Sequence, residues 1–131
     1  MMGLVTGDAL GNAIQFMSRE EVRERGFVHD MEEGGVYETP AGTWTDDSSM
    51  ALATLDSIRE IGALVPEDIM LNFVSWECHG EYTPFGEAFD EGNTCTYAIM
   101  NFIWILHAGT LKICWGCRFL KCRFFGDLFQ L

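Results

Sequence analysis

Basic residues are scarce in this chain. Its 131 residues hold 20 acids against 8 lysines and arginines, a net charge of −12. Nucleic-acid backbones are bound by neutralising their charge, so they are excluded as partners. Residues 1–107 hold nineteen of the twenty acids and only four of the eight bases. The remainder carries a positive excess, so the composition changes character near Ala108. The N-terminus has no basic region leading into an apolar stretch, which argues against a signal peptide. A membrane span is missing too. Tyr97–Leu111 comes nearest, but it is short and broken by Asn101 and His107. The five cysteines, at positions 78, 95, 114, 117 and 122, are odd in number and irregular in spacing. They predict free thiols and a cytoplasmic protein. Cys78-His79 and the pair Cys114-x-x-Cys117 have no second pair at finger-like spacing, so neither predicts a zinc or redox centre.

What remains is an ordinary globular composition, 48% hydrophobic and 21% charged, long enough for one domain with a real core. Met2–Ile14 reads as a helix. Gly3, Gly7 and Gly11 share one of its faces, which predicts close approach of another backbone or a ligand. Asp8 stands out there, because a carboxylate on such a face needs a partner or water. Ser18-Arg19-Glu20-Glu21 is a capping box opening a short helix that stops at Gly26. Phe27–Ala41 reads as a long loop broken by Gly34-Gly35 and Pro40, with His29 as a solvated loop residue. A helix over Ser48–Ile61 keeps Ala51, Leu55 and Ile58 at helical spacing and ends at Gly62. Pro66 opens the next helix, to His79, with Ile69, Phe73 and Trp76 as its buried stripe and Gly80 as its stop. Glu81–Asn93 is a second loop. Thr94 is placed to cap a last helix, Cys95–His107, which is apolar nearly all round and so belongs inside a bundle.

The chain is organised around Gly42-Thr43-Trp44-Thr45-Asp46-Asp47-Ser48-Ser49-Met50-Ala51-Leu52-Ala53. Two readings of this stretch stand side by side. Thr45 or Asp46 can cap the helix that follows, where negative charge is favoured. One acid suffices for that. Two adjacent carboxylates repel each other, and five consecutive oxygen-bearing side chains, Thr45 to Ser49, suit a hard cation such as Mg²⁺ or Mn²⁺. Asp90 likewise reads either as a surface turn residue or as a functional acid.

Three segments together resemble one family. They are Gly7-Asp8-Ala9-Leu10-Gly11, then Pro40-Ala41-Gly42-Thr43-Trp44-Thr45-Asp46-Asp47-Ser48, then Trp76-x3-Gly80-Glu81-Tyr82-x-Pro84-x-Gly86-x2-Phe89-Asp90-x-Gly92-x-Thr94. In order and spacing they look like the N-terminal half of the ADP-ribosylglycohydrolase family, over residues 1–109. The resemblance implies an all-α helical bundle, here truncated. It also implies a hydrolase that removes ADP-ribose from a protein side chain, or cleaves a related ADP-ribose compound, with two Mg²⁺ or Mn²⁺ ions. Carried onto this sequence, Thr45, Asp46 and Asp47 would be the metal ligands. Asp90 would orient or deprotonate the attacking water. Asp8, Gly92, Asn93 and Thr94 would line the substrate. The scarcity of bases fits a diphosphate held by metal, backbone N–H groups and helix N-termini.

Two features depart from the pattern. Gln15 stands where the family usually has a glutamate, and it cannot act as a base. The second metal motif, Gly-Asp-x-Asp-Thr/Ser, does not occur, so the expectation is an inactive, truncated chain. Residues 110–131 have no period of 2 or 3.6 and are expected to be an atypical tail, read out of the ancestral frame or specific to a lineage. The competing reading is a non-enzymatic acidic helical module that binds a protein partner through exposed apolar surface.

Overall fold

Glycine and proline punctuate the chain where its helices begin and end. In a computed structural model, which describes residues 1–107, five helices form: α1 Met2–Asn12, α2 Arg19–Arg25, α3 Asp46–Ile61, α4 Pro66–His79 and α5 Asn93–His107. The fold is all-α. The one extended pairing among the described residues is an isolated bridge between Gly34 and Thr39. The tail expected at 110–131 lies outside the described residues. No described helix is long and apolar enough to cross a membrane.

Two compact units divide the chain at Ser48/Ser49. The first holds α1, α2 and the loop leading to α3. The Ser18 hydroxyl accepts the Glu21 N–H at 3.2 Å while the Glu21 carboxylate accepts the Ser18 N–H at 2.7 Å. Two otherwise orphaned donors are thereby satisfied, and α2 starts as its capping box predicts. It ends at Gly26. The long loop is pinned to the end of α1. Gly35 passes so close that a Cβ there would lie 2.6 Å from the Asn12 carbonyl oxygen.

The second unit is built on α4 and α5. Pro66 fills the first turn of α4 and Gly80 ends it in the left-handed conformation. Val74 and Trp76 of α4 meet Ile99 and Ile103 of α5 in the core, with Phe73, Met70 and Met100 packed around them. Each such side chain taken from water stabilises the fold by about 1.5–3 kcal/mol. On α3 the buried face is not the Ala51–Leu55–Ile58 row. It is Ser49, Ala53 and Ser57, while Leu55 is exposed. Asn72 of α4 donates to the Ala53 carbonyl at 3.0 Å.

Three expectations need correction. Among the described residues nothing lies within 4 Å of a Cβ built on Gly3, Gly7 or Gly11, so no described backbone makes the expected close approach. The periodicity placed them on one face without saying whether anything covers it. The last helix starts at Asn93, earlier than expected, because the Gly92 carbonyl accepts the Thr96 N–H at 3.1 Å. Thr94 therefore lies inside the first turn and is not the cap. Tyr97, Trp104 and Ile105 of that helix are exposed, as expected of an apolar helix in a chain with few partners to surround it. Finally, Cys95 is a free thiol, but Cys78 is disulfide-bonded. An odd cysteine count rules out complete pairing and leaves room for a bridge.

Candidate functional site

The start of α3 is held by a residue from another helix. Asp8 lies on α1, and its carboxylate reaches the Thr-Asp-Asp-Ser turn. Oδ2 accepts the Thr45 N–H at 2.9 Å and the Ser48 N–H at 3.2 Å. Oδ1 accepts the Thr45 hydroxyl at 2.8 Å, and the Ser48 hydroxyl also donates to Oδ2. The first N–H groups of a helix have no intrahelical partner, and a carboxylate at that end is favoured by the helix dipole. Asp8 thus supplies a capping acceptor to the start of α3 from another helix.

Asn12 lies one turn further along the same face of α1. Its amide donates to the Thr39 hydroxyl at 2.7 Å and to the Thr43 carbonyl at 3.2 Å. Asn12, Thr39, Thr43 and Thr45 are all buried. Asp8 and Asn12 therefore fix the loop before α3 at both ends of its approach. Sequence reasoning singled out Asp8 and passed over Asn12. The four-residue spacing between them was the available signal.

Asp46 and Asp47 sit in the first turn of α3, next to the donors that Asp8 takes. Asp46 is half-buried and Asp47 exposed. Thr45 places its hydroxyl oxygen beside them along the chain. Its proton is committed to Asp8, so toward any further neighbour that oxygen can only accept or ligate. A hydroxyl and two carboxylates are hard oxygen donors, the type that Mg²⁺ and Mn²⁺ take. The donor set fits one side of such an ion. Among the described residues no three His, Cys, Asp or Glu side chains converge on a common point.

The other expected site residues lie in the second unit, around the entry to α5. Asp90 is half-buried and has a φ of 65°, a left-handed conformation that aspartate tolerates better than most residues. Gly92, Asn93 and Thr94 are exposed at the start of α5. Nearby in this unit the Glu77 carboxyl is pushed up to about 7 by burial and by the charge of Glu91. Its Oε2 is buried with no hydrogen-bond partner among the described residues. The Tyr82 hydroxyl donates to Asp56 at 3.0 Å, and burial with this bond pushes it up to about 12. Tyr82 stood out in sequence only as part of a motif, and Glu77 and Asp56 did not, because nothing local distinguishes them from surface polar residues. Gln15, in the turn after α1, donates its N–H to the Asn12 carbonyl at 3.3 Å.

Comparison with known proteins places these motifs. The family model described as ADP-ribosylglycohydrolase matches residues 1–117. An ADP-ribosylarginine hydrolase, Tri1, of Serratia proteamaculans is 38% identical over 106 residues, covering 79% of this chain and 27% of that protein. Tri1 of Pseudomonas putida is 36% identical over 103 residues, with the same coverages of 79% and 27%. An ADP-ribosyl-[dinitrogen reductase] glycohydrolase of Rhodospirillum rubrum is 34% identical over 110 residues, covering 83% of this chain and 34% of that protein. The chain thus spans about a quarter to a third of the length of these curated relatives.

Proposed function

The chain belongs to the ADP-ribosylglycohydrolase family, and from that premise we propose that it carries part of a hydrolase that cleaves ADP-ribose from a protein side chain. The names of the relatives favour arginine as the linkage. The observation that supports this reading is the Asp8 clamp on Thr45 and Ser48. It anchors the turn that carries Asp46 and Asp47.

Thr45, Asp46 and Asp47 would hold Mg²⁺ or Mn²⁺, with Asp8 behind them. When bound, the ion supplies positive charge beside the ribose hydroxyls and the diphosphate. In the hydrolysis, water adds at the anomeric carbon, the bond from that carbon to the side-chain nitrogen breaks, and the nitrogen takes up a proton. The sugar passes through an oxocarbenium-like state that nearby carboxylates stabilise. Asp90 would orient or deprotonate the water. Gly92, Asn93 and Thr94 would offer exposed groups at a helix N-terminus to the substrate's anionic part. A cytoplasmic setting belongs to the same proposal.

These 131 residues contain the Thr45-Asp46-Asp47-Ser48 stretch and no Gly-Asp-x-Asp-Thr/Ser cluster. Taken by themselves, they are expected to leave a mono-ADP-ribosylated arginine peptide intact in the presence of Mn²⁺. The assay is release of ADP-ribose. Steady release that disappears in Asp46→Ala would show that the single motif suffices. A second reading, an acidic helical module that binds a protein partner, is favoured by the exposed Tyr97 and Trp104 on α5. Stabilisation by Mg²⁺ or Mn²⁺ in a thermal melt separates the two, because only the hydrolase reading requires it.

A further inference from the structure

A hydroxyl can serve a cation only if its proton points elsewhere. At Thr45 the proton has a defined acceptor, Oδ1 of Asp8 at 2.8 Å. The same carboxylate accepts the backbone N–H of Thr45 at 2.9 Å. One carboxylate therefore fixes both the position and the proton direction of the Thr45 oxygen. Its hold on Ser48, through both the N–H and the hydroxyl, fixes the turn that carries Asp46 and Asp47. The four bonds come near to filling the acceptor capacity of a carboxylate.

Resting on the metal reading above, we infer that Asp8 is a positioning residue rather than a substrate contact. It keeps the Thr45 hydroxyl turned so that this oxygen is a ligand. An amide at position 8 is the informative change. Asp8→Asn has nearly the same shape, but its NH₂ is a donor. One oxygen that accepted a proton is replaced by a group that offers one. The Thr45 hydroxyl must then turn its proton outward, toward the cation.

The test is Mn²⁺ binding to the 131-residue chain, followed by the loss of the free-ion electron paramagnetic resonance signal. Apo thermal melts are recorded in parallel. Asp46→Ala should abolish binding. Asp8→Asn should weaken it by about 10- to 100-fold, the usual effect of removing a partner that orients a metal ligand. Thr45→Val, which keeps the shape and deletes the oxygen, should weaken it at least as much, and Thr45→Ser should restore it. The Thr45 pair decides the matter even if Asp8→Asn fails to fold, because binding that is unchanged in Thr45→Val overturns the inference. A purely structural cap would lower the apo melting temperature of Asp8→Asn and leave its Mn²⁺ affinity alone. Binding that is lost in Asp46→Ala but unchanged in Asp8→Asn would overturn the positioning role and leave the metal reading standing. No binding at millimolar Mn²⁺, or binding indifferent to Asp46→Ala, overturns both.

Discussion

Gly80 ends α4 with a φ of 66°, and a Cβ there would lie 2.0 Å from the Gly86 carbonyl oxygen. The obstacle is backbone, so it cannot swing aside. The following loop is stapled at the same point: Thr83 donates its hydroxyl to the Gly80 carbonyl at 2.6 Å and accepts the Gly86 N–H at 2.8 Å. The left-handed conformation alone costs a side chain about 1–2 kcal/mol. The clash adds to it, so Gly80→Ala should destabilise the chain by more than about 2 kcal/mol in a urea or thermal melt. At Asn12 the loss is of a different kind. Asn12→Ala leaves the buried Thr39 hydroxyl and Thr43 carbonyl without their donor, which costs about 1–3 kcal/mol. Amide exchange between Gly34 and Thr45 should quicken with it. Sequence could name Gly80 as a helix stop. It could not show the carbonyl of Gly86 behind it, because that contact depends on how the loop returns.

Helix ends were the most legible elements, because their signals are local. The capping box at Ser18, Pro66 at the head of α4, and Gly26, Gly62 and Gly80 past helix ends all act within a few residues of themselves. The clamp on the start of α3 was illegible for the opposite reason. Its acceptor, Asp8, is 37 residues from Thr45 in sequence, and no local rule reaches that far. Which face of a helix is buried was only partly legible. Trp76 and Phe73 are in or against the core as expected, but the small-residue face of α3 was hidden behind a more conspicuous apolar row. Glu77 shows what such tertiary burial does to an element. Its folded-state carboxyl titrates at about 7 against an ordinary 4.5, first through burial and then through Glu91. Below the ordinary value both folded and unfolded chains hold the proton, and the group is neutral in its effect. As pH rises toward 7, the unfolded chain releases the proton first, so Glu77 progressively destabilises α4. Glu77→Gln should therefore raise the melting temperature more at pH 8 than at pH 4.5. An equal shift at both values would show that the carboxyl is not held protonated.

At the scale of the whole molecule, membership of the family was legible because three motifs recur in order along the chain. What covers the helices was not. Among the described residues nothing approaches the Gly3, Gly7 and Gly11 face of α1. On α5, Tyr97 and Trp104 are 74% and 71% exposed, two turns apart on one side of the helix. Large aromatic side chains in water at that spacing form a patch that tends to associate. Charge opposes this, since a net −12 keeps chains apart at low ionic strength. Salt decides which effect wins, because it screens the repulsion over about 10 Å at 0.1 M and leaves the apolar attraction in place. The 131-residue chain should therefore be closest to monomeric in dilute buffer and should self-associate, or bind an apolar dye, as sodium chloride is raised. Trp104→Gln should reduce both effects while leaving the core of Val74, Trp76, Ile99 and Ile103 intact. Sedimentation velocity across a salt series tests the idea. A chain that stays monodisperse at all salt concentrations, or a Trp104→Gln variant that associates like the parent, would show that this face does not drive association.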